Sequence, residues 1–353
     1  MPLADTLWIV DQAKSLGFDL CGVVRAEKFP ELEQTPEWLT RGYAGEMRYL
    51  ADPRRADPRT AMPGIRSAIV GLLNYSTAQP LSTDPALPIK DDKPSGWISR
   101  YAWGDDYHEV LLERLEALTE SLRERFASPF EARAYVDTGP VQERVLAKYA
   151  GLGWLGKNTL LLNQMLGSFF FLGVILTTLD LEPTLGANEL PPPDLCGSCR
   201  RCLDACPTQA FVEPYVMDAR KCISYLTIEL RGAIPEEFRA AMGNHVFGCD
   251  ICQDVCPWNR RAPWSLGRRS SQEFFPHRKK TMPARPSLRK TNRSTFPGWN
   301  GFLDLPRRTF ANSFTEARSN APNGAACCGT PASRSGIPVY GRAWRSIAGW
   351  PML

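Results

Sequence analysis

Eight of the chain's eleven cysteines fall into two matching sets. The first is Cys196-x2-Cys199-x2-Cys202-x3-Cys206, followed by Pro207. The second is Cys222, then Cys249-x2-Cys252-x3-Cys256, followed by Pro257. The first set is the run with which bacterial-type ferredoxins hold iron–sulfur clusters, and the second repeats its tail with the leading cysteine moved upstream. Two sets of four thiolates meet the ligand demand of two 4Fe–4S clusters. Two-residue spacers wrap three thiolates around one corner of a cubane, while the cysteine before proline reaches the neighbouring cluster. That crossing assigns Cys196, Cys199, Cys202 and Cys256 to one cluster and Cys206, Cys222, Cys249 and Cys252 to the other. The prolines fix the backbone after each crossing residue and lack an N–H that would need a partner. A zinc ribbon needs no third thiolate two residues on and no fourth before proline. Disulfides are not expected, because no secretory leader is read at the N-terminus and intracellular thiols stay reduced. The chemistry is single-electron transfer, and the rest of the chain must supply its destination. Of the remaining cysteines, Cys21 sits in an apolar run and reads as a small buried hydrophobe, whereas Cys327 and Cys328 have no reading.

The elements that must position these thiols come from periodicity. Leu3, Leu7, Val10, Ala13 and Leu16 recur at helical spacing and stop at Gly17. Strands are expected over 18–24, 66–74, 132–136 and 169–179, with helices over 105–126 and 141–150. Alternating strands and helices argue for an α/β (α+β) domain over residues 1–190. Pro191, Pro192 and Pro193 form a stiff linker into a ferredoxin-like cluster domain over 191–262. In that domain, helices are expected near 202–206, 222–230, 236–242 and 252–256. Residues 263–353 lose this periodicity and read as an irregular basic tail.

Composition narrows the setting. A chain of 353 residues holds two or three domains. It has no apolar stretch long enough to span a membrane, so a cytoplasmic protein and a monomer are expected. The net charge of +4 hides an asymmetry: sixteen Lys and Arg face three acids over 261–353, a balance of +13 that leaves −9 on residues 1–260. Such a basic end suits a polyanion such as nucleic acid, or a basic tail with no specific partner.

Two further constellations could carry chemistry. The run Gly151-Leu-Gly-Trp-Leu-Gly156-Lys157-Asn158-Thr159 approaches a phosphate-binding loop, but Asn158 stands where Ser or Thr would hold magnesium and the run follows a helix rather than a strand. A glycine turn ending a helix, or a close-approach surface for a flat cofactor with Lys157 and Asn158 as polar contacts, suits it better. Asp137 joins a strand end to a helix start. Its type and place favour a turn cap; a proton donor is the other reading, if a hydrophobic cofactor raised its pKa. His108 reads as a helix N-terminal residue with a packing role. No Asp-x-His-x-x-Gly run is present, so a corrinoid here would lack a lower histidine ligand.

Together these motifs resemble the epoxyqueuosine reductase family, cobalamin-dependent iron–sulfur enzymes of tRNA modification. The resemblance rests on Asp57-Pro-Arg59, Arg100-Tyr-Ala-Trp-Gly104, Asp106-Tyr-His108, Val136-Asp-Thr-Gly-Pro-Val-Gln-Glu-Arg144 and Gly153-Trp-Leu-Gly-Lys-Asn158. It continues through the first cysteine run, Cys222-Ile-Ser-Tyr-Leu-Thr-Ile-Glu229 and Gly248-Cys-Asp-Ile-Cys-Gln-Asp-Val-Cys-Pro-Trp-Asn259, and covers about residues 1–280. The resemblance implies that electrons from an external low-potential donor pass through two clusters to cobalamin. The epoxide oxygen of epoxyqueuosine at the tRNA wobble position is then removed. It makes Asp137 the proton donor, kept protonated by desolvation. It also places Arg59, Gln142, Glu143, Arg144, Lys157, Asn158, Ser224, Cys249 and Asp250 in motifs that touch the corrinoid. The cluster held by Cys206, Cys222, Cys249 and Cys252 would lie nearer the corrin. The target base would be splayed out of its loop.

Family members usually end in helical repeats that help hold tRNA. Here Arg307-Arg-Thr-Phe-Ala-Asn312 still fits, but 313–353 does not, and its sudden loss of periodicity and acids is what a shifted reading frame would leave. Two other functions compete: another corrinoid iron–sulfur reductase, such as a reductive dehalogenase, and a non-enzymatic electron carrier. Exported dehalogenases carry a twin-arginine leader, and none is read here.

Overall fold

The structure is a computed structural model that describes residues 1–77, 80–84 and 96–262. The expected basic tail, with Cys327 and Cys328, lies outside the described residues. The chain runs α1 (Leu3–Ser15), β1 (Leu20–Arg25), α2 (Thr35–Thr40) flanked by 3-10 turns, β2 (Ser67–Asn74), β3 (Trp97–Ile98), α3 (Tyr107–Arg125) and β4 (Ala132–Tyr135). It continues with α4 (Glu143–Tyr149), β5 (Trp154–Leu155), β6 (Leu161–Leu162) and β7 (Phe170–Thr177). The last part holds α5 (Arg201–Asp204), β8 (Phe211–Glu213), β9 (Val216–Met217), α6 (Ile223–Ile228), α7 (Glu236–Arg239), β10 (His245–Phe247), α8 (Ile251–Asp254) and α9 (Pro257–Arg261).

The main sheet has the order β1-β2-β7-β4, and every pairing in it is antiparallel. Strand–helix alternation left the direction of these strands open. The cause is burial on both faces. All eight residues of β2 are buried, so it reads as the continuous apolar run usual for parallel strands. On one face Ile69, Leu73 and Ile175 pack with Ile9 and Ala13 of α1 and with Leu111, Leu115, Leu118 and Leu122 of α3. On the other, Ala68, Val70, Leu72, Val174 and Leu176 pack with Val145 and Leu146 of α4. The fold is therefore mixed α/β with helices on both sides of the sheet. Gly173 lets α3 approach closely, since a Cβ there would come within 2.9 Å of Leu115.

A third core crosses the expected boundary near residue 190. Trp38, Met47 and Leu50 pack with Met217, Ile223, Tyr225, Leu226 and Met242. Hydrogen bonds stitch the same join: Trp38 Nε1 donates to the Met217 carbonyl at 2.8 Å, and the Glu46 N–H donates to the Tyr225 hydroxyl at 2.9 Å. β3 pairs in parallel with β10, adding a second seam. Among the described residues, no helix is long and apolar enough to cross a membrane.

Candidate active site and cluster module

Asp137 sits just beyond β4 with φ at +59°. The Thr138 N–H donates to the Val136 carbonyl at 2.6 Å, so Asp137 is the centre of a tight three-residue turn. A left-handed non-glycine residue in such a turn is strained, and such strain concentrates at functional sites. The side chain does not cap the following helix: its Oδ2 accepts from the Tyr107 hydroxyl at 3.1 Å. His108 Nε2 lies 3.8 Å from the same oxygen, while His108 Nδ1 lies 2.8 Å from Asp106 Oδ1.

The N-terminus of α3 positions this group. Asp106 is its N-cap, accepting from the His108 N–H at 2.9 Å. The Tyr107 ring stacks on Phe171 of β7, with centroids 4.3 Å apart, and on His108 at 4.0 Å. Burial disfavours a charged imidazole, but Asp106 and Asp137 outweigh it and hold His108 at about 9. Sequence reasoning set His108 aside; the available signal was Asp106-x-His108 at a helix start, a spacing that lets one carboxylate cap the helix and hold the ring.

Glu143 and Arg144, at the start of α4, lie behind this pair. Burial first, then the charge of Asp137, pushes Glu143 up to about 8. Arg144 is brought down to about 10 by burial, opposed by Glu143 and Asp137, and it donates to the Thr159 carbonyl. Arg55, not foreseen from the sequence, is buried beside them and donates to the Val141 carbonyl at 3.1 Å. Gln142 Nε2 donates to Thr35 Oγ1 at 3.0 Å. Arg59 is exposed and bonded to Asp57; among the described residues no contact joins Arg59 or Ser224 to Asp137.

The glycine run forms the β5–β6 hairpin, not a loop opening a helix. Asn158 is buried in its turn. Lys157 Nζ donates to the carbonyls of Gly197 and Cys199, the latter at 3.1 Å, tying this turn to the first cysteine run. Asp250 is buried and accepts from Ser99 Oγ, from the Arg100 N–H at 2.8 Å and from Trp97 Nε1 at 3.4 Å, which fixes the β3 segment to the cysteine loop.

The cysteines gather as two groups. A hollow of about 30 Å³ is lined by Cys206, Cys222, Cys249 and Cys252, with Ser224, Met217 and Ile223 among its walls. Burial and the other thiols push Cys249 and Cys252 well above the ordinary thiol range. Cys202 is raised to about 12 by burial, then by Cys256, Cys196 and Cys199. Cys196 and Cys256 pack around Trp154 and Trp258. Crowded thiols in an apolar hollow stay ionised only around a cationic core, which suits iron–sulfur clusters.

A site for a corrinoid can be tested in the same way. The macrocycle's rim carries amide side chains, which need both donors and acceptors. Asn158 Nδ2 and Glu143 Oε1 are a buried donor and a buried acceptor with no hydrogen-bond partner among the described residues. They fit such a rim.

A cluster module fused through a shared core to an α/β body with a half-buried acid–imidazole pair defines an iron–sulfur oxidoreductase. A family model described as 4Fe-4S double cluster binding domain matches residues 195–259, and one described as epoxyqueuosine reductase QueG, DUF1730 matches residues 55–138. An epoxyqueuosine reductase of Leadbetterella byssophila is 44% identical over 272 residues, covering 75% of this chain and 82% of that protein. One of Gloeobacter violaceus is 49% identical over 257 residues, covering 72% and 76%. A crystal structure of epoxyqueuosine reductase with an epoxyqueuosine-modified tRNA-Tyr stem loop superposes with a TM-score of 0.67 at 31% identity, covering 81% of this chain and 72% of that one. A Bacillus subtilis epoxyqueuosine reductase, whose catalytic aspartate loop is swung out of the active site, gives a TM-score of 0.62 at 32% identity, covering 75% and 68%. The chain belongs to the epoxyqueuosine reductase family.

Proposed function

We propose that this chain reduces epoxyqueuosine at the tRNA wobble position to queuosine, with Asp137 giving the proton to the departing oxygen. The observation that carries this reading is the strained Asp137 turn, with its carboxylate aimed at α3, in a body that shares a core with the cysteine module. The overall change takes two electrons and two protons, breaks both carbon–oxygen bonds of the epoxide and releases water. The electrons enter from an external low-potential donor through two 4Fe–4S clusters, one on Cys196, Cys199, Cys202 and Cys256 and the other on Cys206, Cys222, Cys249 and Cys252. Cobalamin, when bound, would supply the redox chemistry that brings the electron pair to the epoxide. Gln142, Glu143, Arg144, Lys157, Asn158, Ser224, Cys249 and Asp250 line or brace its place, with Arg59 at the exposed edge. Asn158 would donate to a rim carbonyl and Glu143 would accept from a rim amide.

The chain's own residues then act on the oxygen. Tyr107 and His108 both approach Asp137 Oδ2, which orients the carboxyl group. The stack of Tyr107 on Phe171 keeps that orientation. The test is anaerobic purification followed by incubation with epoxyqueuosine-containing tRNA and a chemical reductant. About eight irons and one cobalt per chain, with conversion to queuosine by mass spectrometry, is the expected result. Iron without cobalt even after reconstitution, or intact epoxide with both metals loaded, overturns the reading. Asp137→Asn should keep both metals and lose turnover by roughly 10²–10⁴-fold; loss of cobalamin in that variant assigns Asp137 to structure.

A further inference from the structure

We infer that His108 is a positioning and proton-relay residue that recharges Asp137 from solvent, an inference that rests on the reductase reading above. Three observations carry it. His108 lies between two carboxylates, with Nδ1 2.8 Å from Asp106 Oδ1 and Nε2 3.8 Å from Asp137 Oδ2. Its ring is held from one side by the stacked Tyr107. A small hollow of about 30 Å³, room for a water or two, lined by Tyr101, Gly104, Asp105, Asp106, Tyr107 and His108, opens beside it.

The reaction needs this supply. Each turnover consumes two protons, and Asp137 holds one at most. After giving its proton to the substrate oxygen, Asp137 is a carboxylate. The Nε2–H bond of the imidazolium breaks and an O–H bond forms on Asp137 Oδ2, leaving a neutral ring. Water in the hollow then returns a proton to Nε2, and a second transfer completes the stoichiometry. No electrons move in this step; they come from the external donor. Asp106 keeps the Nδ1–H bond throughout, so Nε2 is the nitrogen that cycles, the division of labour seen wherever one carboxylate orients an imidazole for proton transfer. The 3.8 Å gap closes by a small ring or carboxylate rotation, as catalytic hydrogen bonds tighten when substrate binds.

The groups facing the ring are Asp105 and Asp106 at the head of α3, Tyr101 from the preceding turn, Tyr107, and Asp137 from the β4–α4 turn. Both tyrosines are pushed far above their ordinary range by burial, so the carboxylates alone set the charge of His108. With both carboxylates ionised His108 is held at about 9, so the ring is loaded at neutral pH once Asp137 has given up its proton.

The chain has three histidines, so ¹⁵N-histidine labelling of the cluster- and cobalamin-loaded protein gives an assignable titration. In the wild type, His108 should titrate well above neutrality, and Asp137→Asn should lower its pKa by at least about one unit. His108→Gln, which fills the same space without cycling a proton, should retain iron, cobalt and the rate of cluster-to-cobalamin electron transfer. Its kcat should fall by roughly 100-fold, and the alkaline limb of the kcat–pH profile should disappear. His108→Ala checks that the loss follows the proton and not the shape. A His108 titration unmoved by Asp137→Asn, or His108→Gln turning over at the wild-type rate, overturns the relay. A wild-type chain that leaves epoxyqueuosine intact overturns the reaction itself, while the titration still reports whether the pair exists.

Discussion

Glu143 bears a cost that its neighbours impose. The folded chain holds a proton there up to about pH 8, whereas an unfolded glutamate releases it near 4.5. Stability therefore falls as pH rises between those values. His108 works in an overlapping window with the same sign: its folded pKa of about 9 exceeds the unfolded 6.5, so its contribution is complete below 6.5 and lost as pH passes 9. Anaerobic urea midpoints should drop steadily from pH 5 to 9, and Glu143→Gln should flatten the part of the fall below pH 8. An unchanged slope in that variant would remove Glu143 from the account. Side-chain types alone exposed the eight thiols but not this pair. Cysteine spacing is local in the chain, whereas the state of Glu143 depends on Asp137 and Arg55, which only the fold brings close.

Helices and strands declared themselves where one periodicity ruled. The Leu111, Leu115, Leu118, Leu122 stripe of α3 was legible because a helix on one face of a sheet needs only one apolar side. The direction of β2 and β7 was not, because burial on both faces erases the alternation that marks antiparallel pairs. The β5–β6 hairpin was hidden in a run that mimicked a phosphate loop. Gly151, with φ +79°, ends α4 as expected, while Gly153 and Gly156 serve the hairpin. Gly153 has φ +159°, and a Cβ there would collide with the Leu162 carbonyl oxygen. Gly153→Ala should cost roughly 3 kcal/mol and displace Lys157 and Asn158. A thermal midpoint equal to wild type would show that the hairpin yields.

Across the whole molecule, the crossing of the cysteines makes a quantitative forecast. Cys199→Ser and Cys256→Ser should each drop iron from about eight to about four per chain, and the double variant should drop no further. Cys199→Ser combined with Cys222→Ser should lose nearly all of it. Iron analysis with electron paramagnetic resonance distinguishes the two patterns, and additive losses in the first pair would break the crossed assignment. The cluster block, matched over residues 195–259, was readable from the cysteine spacing. Its join to the body was not. Trp38, Met47 and Leu50 lie far along the chain from Tyr225 and Met242, and no local pattern announces a contact of that separation.

That join makes metal supply a matter of folding order. Cys206, Cys222 and Cys249 border the same apolar cluster that seats Trp38 and Leu50. Residues near the N-terminus, translated first, therefore wait for thiols translated some 160 to 210 positions later, and for the iron that gathers them. A cell short of iron would make chains whose Trp38–Leu50 segment stays unseated and open to proteases, so the abundance of the protein itself would follow the iron it is able to capture.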